Sequence, residues 1–142
     1  MRVCFYVISH DTGFAPNPFG GFCTLAACTP NHQGLRLARG HWLVGNSTVV
    51  TGRRIVYAMR ISDVLDFDEY YRNPRFTEKK AHSGSWQTQC GDNIHFRDDT
   101  GRWTQALAFY HTRRSGEGHP LPARVHLRSL LLLRRKRSRC SF

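Results

Sequence analysis

No stretch of this chain comes near the roughly 20 consecutive apolar residues that a membrane helix needs. A membrane-spanning reading therefore fails at the first step. No small-residue cleavage site follows the apolar start MRVCFYVISHD, so that segment reads as a buried strand and not as a signal peptide. Cysteine is sparse, five residues at irregular spacing, in a chain large enough not to need staples. Reduced thiols in a cytoplasm fit that pattern better than a disulfide framework does. Cys23 and Cys28 lack the second tight pair of a zinc ribbon, so no metal is assigned. The deaminase pattern H-x-E…P-C-x-x-C and the phosphate-cradling G-x-x-x-x-G-K-[ST] loop are missing too, and no internal repeat is present.

Acidic residues are also few, 10 against 21 Lys and Arg in 142 residues, a net charge of +11. Their placement changes the meaning of that number. Residues 1–112 carry 12 basic and 9 acidic side chains, whereas residues 113–142 carry 9 basic ones and the single acid Glu117. The body is thus mildly basic and of a size for one domain, 1–112. The remainder, 113–142, reads as a basic tail. Its leucines fall consecutively and not on one face, which leaves three readings open: a nucleic-acid or membrane-surface arm, a disordered extension, or a native C-terminus lost to a frameshift.

What is present along the body alternates between strand and turn signals. Residues 2–8, RVCFYVI, are rich in β-branched and aromatic types and form a strand. Phe22 to Cys28 is apolar but too short for periodicity to separate strand from helix. Trp42 to Val44 sits between glycines, and Arg54 to Ser62 is a strand with Ile55, Tyr57, Met59 and Ile61 on one face. Asp66 with Glu69 makes a capping box for a short helix FDEYYR, which must stop before Asn73-Pro74. Residues 77–93 read as a polar loop, and NIHF and RWTQALAFY as strands joined through RDDTG. The order predicts an α+β protein around a small twisted, barrel-like antiparallel sheet with one or two short helices.

Residues 10–30, HDTGFAPNPFGGFCTLAACTP, stand out from this background. They hold three prolines, three glycines and three phenylalanines, with one charged side chain. That run, with HWLVG, IVYAMRIS, DFDEYYRNPRF and GDNIHFRDDTGRW following in order, resembles the second type of nucleotide modification associated domain, from residue 1 to about 110. This is a bacterial and phage family linked to DNA base modification. The chain departs from its pattern at Gly40-His41-Trp42, where the family has Gly-Asp-Trp, and after about residue 112, where the family's apolar closing strand is not followed. The layout of residues 40–76 is also similar to PUA- and EVE-like pseudo-barrels that hold a base in an aromatic pocket, which is fold analogy alone.

Base recognition needs flat apolar faces for stacking and a few fixed polar groups for the base edge. Phe14, Phe19 and Phe22 offer such faces in the loop, with Trp42 and Tyr57 as further walls; the same rings could equally plug a barrel end. Asn17, held between Pro16 and Pro18, has an amide suited to a base edge or to capping a turn. Asp11, Asp92 and Asn93 could accept from an exocyclic amine, or make simple turns. Arg72, Arg75, Lys79, Lys80 and Arg97 could position a phosphate backbone, or form a solvated basic face. Catalytic residues are not fixed by any of this, although Cys23 or Cys28 with His10 or His95 has the chemistry of a nucleophile–base pair.

The expectation is a module that binds a nucleotide or modified DNA base in a base-modification system. DNA or a nucleotide is the expected partner, with base-modifying enzymes as associates, no membrane and no cofactor. Two alternatives stand beside it: an enzyme that makes or processes a modified nucleotide, and a structural subunit whose basic tail binds nucleic acid without specificity.

Overall fold

A computed structural model of the chain describes residues 1–9, 12–26 and 37–111, together with the backbone of 130–133. Asp11, His10, Cys28 and the rest of the basic tail lie outside the described residues. Among the described residues, seven strands and a few short helices make the α+β composition that the sequence predicts. In chain order these are β1 (Val3–Ile8), β2 (Cys23–Leu25), β3 (Trp42–Ser47), β4 (Ile55–Leu65), α1 (Phe67–Arg72), a 3₁₀ segment (Pro74–Lys79), α2 (Trp86–Gln89), β5 (His95–Arg97), β6 (Trp103–Gln105) and β7 (Leu130–Leu133).

Five strands form one sheet in the order β1-β3-β4-β7-β2, and β5 pairs with β6 in a separate ribbon. The expectation of a purely antiparallel sheet is corrected at β1, which runs parallel to β3. A parallel neighbour needs a long crossover, and the chain supplies it in the residues between Ile8 and Trp42. The barrel is not closed among the described residues, since β1 and β2 are sheet edges. β7 lies within the segment read as a tail, and its backbone pairs antiparallel with both β4 and β2.

β4 runs three residues past Ser62, and its alternation holds through Tyr57, Met59 and Ile61, which face the core with Tyr6, Ile8 and Leu43. Ile55 does not follow them. The ladder with β3 shifts register between Gly45 and Asn46, and Ile55 is two-thirds exposed. The N-cap half of the capping box forms: Asp66 Oδ1 accepts from the Glu69 amide at 2.8 Å, and the helix ends at Asn73 as expected. Residues 77–93 are more structured than a polar loop. They hold the end of the 3₁₀ segment and all of α2, capped by Ser85.

Two smaller clusters complete the interior. Ala26, Phe67, Tyr70 and Phe76 pack with Phe22, Leu65 and Trp103. Phe14, Cys90, Ile94 and Ala108 form the other. Gly91 sits where these parts meet: a Cβ there would fall 2.3 Å from the Ala81 amide nitrogen and 2.6 Å from the Lys79 carbonyl. Only a residue without a side chain lets those backbones approach.

Candidate nucleotide site

Four of the residues singled out by sequence, Asn17, Lys79, Asp92 and Asn93, come together in one buried polar network. The Lys79 ammonium donates to Asn17 O and Asn17 Oδ1 at 2.9 Å each, and to Phe22 O at 2.6 Å. Those three bonds match its three donors. Asn17 Nδ2 donates to Cys90 O at 2.9 Å, and its backbone exchanges two hydrogen bonds with Thr24. The Asp92 carboxylate accepts from Thr24 Oγ1 at 2.6 Å and from the Tyr70 hydroxyl at 2.9 Å. Asn93 Nδ2 donates to the carbonyls of Tyr70 and Phe76, while its Oδ1 is buried without a partner.

Burial dominates the ionisation of this network. It lowers the Lys79 ammonium to about 8, against the pull of the Asp92 charge. Burial also raises Asp92, against Lys79, Thr24 and Tyr70. The Tyr70 hydroxyl is raised by burial and by the Asp92 charge. A lysine, a carboxylate and a phenol with displaced affinities are the raw material of acid–base chemistry. Here all three are buried, and the bonds they make run to the protein itself. What the network does is tie the Pro/Gly loop to α1, to the 3₁₀ segment and to residues 90–93.

The aromatic candidates scatter. Phe14 is buried, 5.2 Å from the Tyr110 ring and 5.3 Å from that of His111. Phe19 is half-buried and lies against Gly13, where a Cβ would meet its ring at 2.9 Å. Trp42 pairs with Arg60, and Tyr57 pairs with Gly45. Positions 42 and 45 of β3 have opposite parity, so Trp42 and Tyr57 lie on opposite faces of the sheet and share no wall. Tyr57 points inward, 5.7 Å from Tyr6 and edge-on to it, with its hydroxyl buried and unpartnered.

Three of the cations gather around α1 and β5. Arg72 Nε holds Asp68 at 2.9 Å, and its second amine reaches Arg97 O at 2.8 Å. The Arg97 guanidinium lies 4.3 Å from the Trp103 ring centre. Lys80 sits 3.9 Å over Tyr71, which is itself stacked on Phe96 at 4.2 Å. Arg75 is set against Phe22 and Phe76, 3.7 Å from Asp63. All four are at least partly solvent-facing, unlike Lys79.

An exposed aromatic group lies where the sequence pointed to none. Trp86 on α2 meets Phe109 edge-on at 4.5 Å and Tyr110 at 5.7 Å. The three rings are 45 %, 48 % and 39 % exposed. Of the three, Phe109 also lines an open groove of about 540 Å³, together with residues 81–84, Gln89, Leu107 and Ala108. Local bonds fix its walls: Gln89 Nε2 donates to Gly84 O at 2.8 Å, and the Phe109 amide donates to Gln89 O at 3.1 Å. The one sequence signal for it was a tryptophan inside a polar loop. Among the described residues no group of His, Cys, Asp and Glu side chains is placed to hold a metal ion.

Comparison with known families decides the kinship. Residues 1–134 match nucleotide modification associated domain 2. The chain belongs to that family. The match runs through β7, so it takes in part of the segment read as a tail. Neither a curated protein nor a solved structure matches the chain. As a nucleotide modification associated domain 2, the chain is tied by its family to nucleotide modification. No helix among its described residues is long and apolar enough to cross a membrane.

Proposed function

We propose that this domain binds a nucleotide or a modified DNA base within a base-modification system, and that the base stacks on Trp86, Phe109 and Tyr110. The exposed aromatic cluster carries the reading. Large rings half-open to water are unfavourable surface unless a ligand covers them, and mutually perpendicular rings present a face to an incoming base. Phe109 also lines the shallow, open groove formed with residues 81–84, Gln89, Leu107 and Ala108. Lys80, which immediately precedes the groove residue Ala81 and holds its ammonium over Tyr71, is the cation this reading assigns to a phosphate attached to the seated base.

Stacking on one ring is worth about 1–3 kcal/mol, so Trp86→Ala should weaken binding by roughly 5- to 150-fold. The measurement is a titration of modified and unmodified mononucleotides and short oligonucleotides against the full chain at physiological salt. Trp42→Ala, at the far sheet face, serves as the matched control. Equal affinity of the parent chain and Trp86→Ala would move the site elsewhere. No binding of any nucleotide by the parent chain would end the reading.

A further inference from the structure

We propose that two copies of this chain associate through their β1 strands, which add to one another antiparallel across a two-fold axis at Phe5. β1, read from its apolar residues as a buried strand, is an edge strand among the described residues, where its one ladder is to β3. The Trp42 amide donates to Arg2 O at 2.8 Å, which fixes the parity of that ladder. Even-numbered residues of β1 turn their backbone groups to β3, so Val3, Phe5 and Val7 turn theirs outward. These same three side chains are 49 %, 62 % and 55 % exposed.

Protein sheets protect such edges with charge, proline or a bulge. From Val3 to Ser9 this strand has no charged residue, no proline and no glycine, and its register with β3 is unbroken. The partner that fits is a second copy, because the pattern Val-x-Phe-x-Val reads the same in both directions. With Phe5 on the axis, Phe5 faces Phe5, and Val3 faces Val7 of the second copy, twice. Each of these facing pairs is of the closely hydrogen-bonded kind, using the outward amides and carbonyls. The arrangement also separates charge. Arg2 falls opposite Ile8 of the second copy, so the two guanidinium-bearing residues stand roughly 20 Å apart along the strands.

The test is sedimentation velocity of the full chain from low micromolar to near-millimolar concentration. The expected result is a concentration-dependent species of twice the 16.4 kDa chain mass. Phe5→Lys places like charges on the axis and should return the protein to a monomer that melts cooperatively, near the temperature of the parent chain at low micromolar concentration. Mixing Phe5→Lys with Phe5→Glu should restore the dimer as a heterodimer. If Phe5→Lys does not fold, Val7→Lys takes its place and should lower the dimer fraction at matched concentration. A parent chain that stays monomeric throughout would overturn the proposal. So would a dimer that survives the lysine variants undiminished, since it would then use another surface.

Discussion

At the residue scale, Lys79 is the side chain whose position most changes its meaning. In the sequence it is one of a pair of lysines after a basic helix end, the type of group that meets phosphate. In the structure its stem is buried and its ammonium holds the Pro/Gly loop through Asn17 and Phe22. Its neighbour Lys80 lies over Tyr71 instead. Nothing in the sequence distinguishes the two, because burial is set by which face of the 3₁₀ segment meets the loop, a contact across 62 positions. Removing one partner of a buried charge network leaves the others unpaired, which costs about 3–5 kcal/mol. Lys79→Met should therefore lower the free energy of unfolding by that amount in urea. Lys80→Met should change it by less than about 1 kcal/mol, as surface cations do. Equal losses in both variants would contradict the assignment.

At the element scale, α1 illustrates a segment whose local rules and tertiary role agree. Asp66 caps it, Asn73-Pro74 ends it, and both were legible from residue types alone. What the sequence could not give is the use of the helix: Tyr70, in its middle, hands its hydroxyl to Asp92. An N-cap change to alanine typically costs about 1 kcal/mol. Asp66→Ala should reduce stability by about that much while leaving the folded network intact. A loss several times larger would mean that the cap also fixes the position of Tyr70. α2 is the contrasting case, a single turn within residues read as loop. A four-residue element has too few positions for periodicity to register, so Trp86 gave no sign of standing beside Phe109 and Tyr110.

At the scale of the whole molecule, the two small cores and the ribbon meet around His95. It packs edge-on to Phe67 at 5.2 Å and faces His111, with its Nδ1 buried and unpartnered. Burial, with a smaller contribution from His111, lowers it from 6.5 to about 4. Between those values the unfolded chain binds a proton that the folded chain refuses, so stability falls as pH drops through that window. The loss from His95 is on the order of 1–2 kcal/mol between about pH 7 and pH 5. Burial of His111 lowers that ring as well and adds in the same direction, whereas the raised Asp92 acts oppositely nearer its own range. His95→Phe keeps the ring and should flatten the slope of melting temperature against pH. Parallel slopes in parent and variant would show that the charge is not refused in the fold.

The sequence by itself determined the family, the α+β class, the first strand, the capped helix and the aromatic character of residues 10–30. Each of these rests on residue types or spacings within a single element. Only the tertiary structure decided that β1 runs parallel to β3, that the sheet described is open, and that Asn17, Lys79, Asp92 and Asn93 face one another inside. It also decided that Trp42 and Tyr57 lie on opposite sheet faces, while Trp86, Phe109 and Tyr110 come together in one exposed cluster. Those outcomes depend on contacts between residues tens of positions apart. Composition and period carry no record of which distant partners meet.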